Sequence, residues 1–220
     1  MSKELGLDET ASGNEEVLLT RRLNEAVREF LLRTKLYTVT DTIALVANDN
    51  EYDLGAELDP DPLALISIVN SDNYPLQRES VATLLDLRRG TAPTAQASYL
   101  YRYALSGAHN LLLYPTPSET GTLTVRYVPK PTEMSSGSHD PSNATYGNIP
   151  VEYHAALEFY ALWRMAMYDD DASSNVGESY RLLFEQACAR ARKHVYARGG
   201  RAPRARVGRR AYVSSDPSRT

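Results

Sequence analysis

The chain has 220 residues, 42% hydrophobic and 24% charged, with a net charge of -4, the composition of an ordinary soluble globular protein of one domain or a small domain with an insertion. No apolar run approaches the roughly 18 residues of a membrane-spanning helix, and Met1-Ser2-Lys3-Glu4 opens no secretory signal, so export is not expected. Cys188 is alone, which excludes an internal disulfide and a cysteine zinc cluster within the chain.

Residues 1–13 are polar and aperiodic and read as a flexible leader. Asn14 is placed to cap a helix whose first turn holds Glu15 and Glu16. Leu19, Leu23, Ala26, Val27, Phe30 and Leu31 then recur at helical spacing to about Thr34. From Tyr37 the period falls to two. Thr38 to Leu45 reads as a strand, Asn48-Asp49-Asn50 as a turn, and Glu51 to Leu54 as a strand pairing back across it. Asp59-Pro60-Asp61-Pro62 breaks the chain. Leu63 to Val69 predicts a buried strand, and Ser71-Asp72-Asn73 a turn into Tyr74–Gln77. Ser80 caps a short helix through Arg88 that ends at Gly90.

Tyr99, Tyr101, Tyr103 and Leu105 share one face of a strand, with a turn at Ser106-Gly107. Leu111 to Tyr114 and the alternating Leu123, Val125, Tyr127 complete a small antiparallel sheet or sandwich. Lys130 to Asn148, rich in Pro, Ser, Gly and Asn, reads as a functional or disordered loop. Pro150 suits the start of a helix reaching about Tyr168, in which Glu158 and Arg164 are the only charges after Ala155. A helix apolar on most sides must be covered on most sides. Tyr153, Tyr160, Trp163 and Met167 of that helix, with Tyr180 of the next, are therefore candidates for subunit contacts. The 15 Tyr against 3 Phe point the same way, because tyrosine suits surfaces that are partly wet. Asp169-Asp170-Asp171 separates the two helices. Asn175 with Glu178 resembles a capping pair, and a stripe from Val176 to Val195 carries the last helix to about Arg198, where Gly199-Gly200 stops it.

The expected fold is α+β: a small helical bundle of one N-terminal and two C-terminal helices (14–36 plus 150–198), an inserted antiparallel sheet or sandwich (37–131), a loop (132–149) and an extended basic arm (199–220). Charge is segregated along it. Residues 190–219 hold ten of the 24 bases and one of the 28 acids, so that end is about +9 and the rest about -13. Nine of those ten bases are Arg, whose planar guanidinium favours geometrically defined contacts. Arg198, Arg201, Arg204, Arg206, Arg209 and Arg210, with Tyr212 as an aromatic anchor, form a candidate binding arm. Its targets are an acidic protein groove, which we prefer, or nucleic-acid phosphate.

Catalytic signatures are absent: no phosphate-binding Gly loop, no G-x-S-x-G and no H-E-x-x-H. His154 and Glu158 stand at i, i+4, a spacing that ordinary helix-surface pairs share with metal ligands. Asp169–Asp171 lacks the regular spacing of a calcium loop. No base stands near Cys188 in the chain to activate it. No cofactor, no metal and no enzyme activity are expected. Tyr99, Tyr101 and Tyr103 could form a carbohydrate platform, although such a row more often packs a sheet face.

In order and spacing the chain resembles the phage head-to-tail adaptor (connector) family over about residues 15–198. The resemblance rests on the helix Leu23-Asn24-Glu25-Ala26-Val27-Arg28-Glu29-Phe30, on Asn50-Glu51-Tyr52-Asp53-Leu54, and on Leu111 to Pro117 leading to Gly121-Thr122-Leu123-Thr124-Val125-Arg126-Tyr127. Ile149-Pro150-Val151-Glu152-Tyr153-His154-Ala155-Ala156-Leu157, opening a Tyr/Ala-rich helix, completes it. The resemblance implies a structural virion protein made in the host bacterial cytoplasm. It would form a ring, commonly of twelve copies, beneath the portal protein at the head-tail junction, bind a downstream tail or nozzle protein, pass genomic DNA through its axis, and need no membrane. The arm lies outside the resemblance, so its assignment to the portal rests on charge and position. The alternatives are a nucleic-acid-binding module using the Arg-rich arm, or another tail component such as a completion protein.

Overall fold

The computed structural model describes residues 13–90, 96–97, 102–107, 109–135, 139–167 and 174–198. Tyr99, Tyr101, Asp169–Asp171, most of the leader and the arm beyond Arg198 lie outside the described residues.

Among the described residues there are five α-helices: α1 (Gly13–Thr34), α2 (Leu54–Glu57), α3 (Val81–Gly90), α4 (His154–Ala166) and α5 (Ser174–Arg198). The strands are β1 (Val39–Leu45), β2 (Glu51–Asp53), β3 (Pro62–Val69), β4 (Gln77–Arg78), β5 (Gln96–Ala97), β6 (Arg102–Ser106), β7 (Asn110–Tyr114), β8 (Thr116–Pro117) and β9 (Gly121–Pro129). The mixed α+β composition expected from the two periodicities is therefore present. The first and last helices start earlier than expected, α1 at Gly13 and α5 at Ser174, so Asn14 and Asn175 fall within them rather than ahead of them, and Glu178 binds Arg181 at 2.9 Å. Ser80 does cap α3, accepting from the Thr83 N–H at 3.1 Å.

The strands form a three-stranded sheet in the order β1-β9-β3, a four-stranded sheet β2-β7-β6-β4, and the pair β5-β8. β1 does not pair with β2. It runs antiparallel to β9, Val39 opposite Tyr127 and Leu45 opposite Gly121, while β2 joins β7 in the other sheet. The turn at Asn48, with φ 67°, is real. It redirects the chain from one sheet to the next, and the Tyr52 hydroxyl, in reach of the Val46 N–H at 3.0 Å, holds the corner. Two pairings, β4 with β6 and β5 with β8, are parallel, so the strands are not purely antiparallel.

Period-two alternation sends each strand's side chains to two cores. Ile43, Leu45, Ile68, Leu123, Val125 and Tyr127 of the first sheet meet Tyr52, Tyr103, Leu111 and Leu113 of the second in one shared cluster. Tyr103 is thus core, not platform. The outer face of the second sheet, Ala104 and Leu112, takes Leu84 of α3, which is also tied down by Arg88 donating to the Leu113 carbonyl at 3.0 Å. On the other side of the first sheet, Val128 joins Ala26, Val27, Phe30 and Leu31 of α1, Ala156, Leu157 and Tyr160 of α4, and Phe184, Ala187, Cys188 and Ala191 of α5. A register shift between Leu65 and Ser67 of β3 lets Leu65 and Ile68 face the shared cluster while Ile66 faces the helices.

Contacts between α4 and α5 descend one helix as they climb the other. Ala166 meets Gly177, Phe159 stacks on Tyr180, Tyr160 meets Phe184 edge-on, and Tyr153 touches His194. The two helices are antiparallel.

Residues 130–149 are an anchored strap in their described part. Asn24 of α1 holds the Met134 backbone at both ends, its amide donating to the carbonyl at 2.9 Å and its oxygen accepting from the N–H at 2.8 Å. Met134 and Ile149 are buried in the helical core. Gly147, at φ 133°, passes so close to α1 that a Cβ there would lie 2.9 Å from Val27 Cγ1. In its described part this stretch is irregular, as its composition suggests, and is held by buried anchors.

Candidate functional site

The C-terminal half of α5 is where the basic arm begins. Inward burial along α5 ends at Ala191; beyond it Arg192, Lys193 and Tyr196 face outward, Tyr196 being 76% exposed. Arg198 is the last residue of the helix. The helix therefore runs about two turns past its last fully buried residue, its His194 still lying against Tyr153. Arg201, Arg204, Arg206, Arg209, Arg210 and Tyr212 lie outside the described residues.

At this root the fold brings together groups from four separate stretches. A cleft of about 270 Å³ is lined by Lys35 at the end of α1, Thr38, Arg126 of β9, Glu152 and Tyr153 before α4, and His194 of α5. An adjoining hollow adds Arg190 and Lys193. Lys35 adopts φ 53° and donates its N–H to the Leu31 carbonyl at 2.8 Å, ending α1. Arg126 is steadied by the Thr38 hydroxyl at 3.1 Å. The Tyr153 hydroxyl lies 2.6 Å from His194 Nδ1, which fastens the helix end to the segment before α4. Among the described residues no carboxylate lies within ion-pair distance of Lys35, Arg126, Arg190 or Lys193. Lys35 and Arg126 in the cleft, with Arg190 and Lys193 in the adjoining hollow, outnumber Glu152, which borders both, and make this a cationic recess. Local sequence could not reveal it, because positions 35, 126 and 190–194 meet only through the tertiary fold.

The five candidate contact residues separate into two groups. Tyr153 packs on Phe30 with ring centroids 5.6 Å apart, and Tyr160 on Phe184 at 5.0 Å; both are buried within the chain and have little surface to offer a neighbour. Burial raises the Tyr160 hydroxyl above its ordinary pKa. Trp163 stands edge-on to Tyr160 at 5.4 Å and is half-buried, as is Tyr180. Met167 is exposed, as are Val176 and Leu183 of α5. These residues mark the end of the helical pair remote from the arm. Tyrosine is used here largely as core material, since Tyr52, Tyr103 and Tyr127 are buried too.

His154 does not face Glu158 as a ligand pair. Its Nε2 lies 3.0 Å from the Ile149 carbonyl, and among the described residues no group of three or more His, Cys, Asp or Glu gathers. Cys188 is fully buried, and desolvation pushes its thiol up to about 11, which suppresses the thiolate.

A charged recess, the exposed end of α5 and an exposed apolar helix tip are features that other macromolecules read. A family model described as SU10 adaptor protein matches residues 3–210. The chain belongs to this family, which is a phage head-to-tail adaptor family. The match extends past the expected resemblance into the arm as far as Arg210. A search of curated proteins finds no match. Membership implies a structural role in the virion, in association with portal and tail proteins. No helix among the described residues is long and apolar enough to cross a membrane.

Proposed function

We propose that the protein forms a ring, of twelve copies, beneath the portal, lines the passage taken by the genomic DNA and presents its lower face to the next tail or nozzle protein. It works by assembly, with no turnover. The arm, from Arg198 through Arg201, Arg204, Arg206, Arg209, Arg210 and Tyr212, grips the portal, while Trp163, Met167 and Tyr180 contribute to contacts between subunits. The observation that carries this reading is that α5 continues past its last buried residue, Ala191, to Arg198, directly before the arginine-rich segment in the sequence. Ordering such a segment costs conformational entropy, and binding it once per subunit in a ring recovers affinity through avidity.

The test is removal of residues 199–220, followed by mixing with purified portal rings and sedimentation. The shortened protein should fold yet fail to co-sediment. Undiminished ring formation would refute the arm's role. Salt-sensitive binding of the free full-length protein to duplex DNA would favour the nucleic-acid reading instead.

A further inference from the structure

The cationic recess at the arm root has a counterpart on the same chain. Asp49, Glu51, Asp53, Glu57, Asp59 and Asp61 are all exposed, lie within thirteen residues and have no base among them in the sequence. Among the described residues the one ion pair they make is Asp61 with Lys130 at 3.9 Å. Asp53 also spends an oxygen on the Gly55 N–H, capping α2, but a carboxylate has further acceptor capacity. The segment thus presents a ridge of negative charge along β2 and α2, offset in part by Arg88 near Glu51 and by Lys130 at Asp61.

Within one chain the recess and the β2 part of the ridge face away from each other. Arg126 and Tyr127 are consecutive on β9 and so face opposite sides of the three-stranded sheet. Arg126 lines the recess. Tyr127 points into the core shared with the second sheet, and β2, which carries the acids, belongs to that second sheet. The first sheet and the shared core thus lie between Arg126 and the β2 acids Glu51 and Asp53, while Asp61 stands beside Lys130 at the far end of β9. Between copies, the same separation becomes useful. A surface on one side that complements a different surface on the other makes a heterologous contact, and repetition of such a contact closes into a ring.

We propose that the recess lined by Lys35, Arg126, Arg190 and Lys193 receives the Asp49–Asp61 ridge of a neighbouring copy, head to tail around the ring. The occupant is a second copy of this chain, chosen because charge and placement match on one molecule. This inference rests on the ring reading above. Opposed charges held on separate bodies give register and speed of encounter more than raw affinity, so the contact selects the correct neighbour while apolar contacts hold it.

Charge reversal in two separate variants tests it. One carries Lys35→Glu and Lys193→Glu, the other Glu51→Lys and Glu57→Lys; all four side chains are exposed, and thermal melting verifies that both variants fold. Each is mixed with purified portal rings, alone and as an equimolar pair, and the copies bound per portal are counted by native mass measurement. Wild type should complete the ring. Each variant alone should leave incomplete rings, and the mixture should restore completion, since every junction then again joins opposite charges. Full rings from either variant alone would overturn the contact while leaving the ring reading standing. Incomplete rings from the mixture would overturn it too. Failure of wild type to bind portal would sink the ring reading itself, and this contact with it.

Discussion

Replacing Asn24 by Ala isolates the clamp that holds the 130–149 strap to α1. The side chain is 8% exposed and makes two buried hydrogen bonds, at 2.9 and 2.8 Å, to the carbonyl and N–H of Met134. Truncation removes both and orphans two backbone groups beside Met134, itself buried. Each net hydrogen bond contributes about 1 kcal/mol, and each orphaned buried group costs about 1–3 kcal/mol unless the strap shifts to hydrate it. A loss of about 2–4 kcal/mol is expected, which for a chain of this size lowers Tm by roughly 5–15 °C. Urea and thermal unfolding followed by circular dichroism measure it. Asn24→Asp should be at least as harmful at neutral pH, because a carboxylate then faces the Met134 carbonyl with no donor. That deficit should shrink on acidification, as the protonated acid regains an O–H to donate. A change below about 0.5 kcal/mol for Asn24→Ala, within the range of an ordinary surface substitution, would refute the clamp.

Three further outcomes are expected beside those stated for the arm. Tyr127 is fully buried and its hydroxyl has no hydrogen-bond partner among the described residues, so Tyr127→Phe should leave stability unchanged or raise it by about 1 kcal/mol in urea unfolding. Gly147→Ala should destabilise by about 1–3 kcal/mol in the same assay, since it combines a φ of 133° with a Cβ 2.9 Å from Val27 Cγ1. Cys188 should resist thiol reagents in the folded protein. With its thiol raised to about 11, the folded state retains a proton that the unfolded chain releases nearer 8.5, so this group's contribution should fall as pH rises between those values. Alkaline unfolding of wild type against Cys188→Ala measures the difference.

Most elements were legible because their periodicities are local. Phe30 and Leu31, or Leu123, Val125 and Tyr127, declare a buried face whatever they pack against. Partnership was less legible. Tyr52 announces a strand, but alternation says nothing about which strand lies alongside, and the short return at Asn48 suggested a hairpin that the chain does not make. The strap was read from its Pro, Ser and Gly content, whereas its order comes from one asparagine 110 residues away. Tyr153 and Tyr160 looked like interface because one helix alone seemed short of cover, and α1 and α5 supply it. The recess was invisible, because Lys35, Arg126 and Lys193 share no local pattern.

The interleaving of α1 with α4 and α5 has a consequence for biosynthesis. Phe30 has to wait for Phe184, 6.4 Å away in the finished protein, until nearly the whole chain has left the ribosome. The two β layers, whose partners all lie between residues 39 and 129, can pair while α1 is still an exposed amphiphile. Closure of so long a loop is entropically slow relative to local pairing. The end of α5 that precedes the arginine-rich segment is thus among the last parts to be seated, and a nascent subunit has no rigid handle to present to a partner before its body is complete.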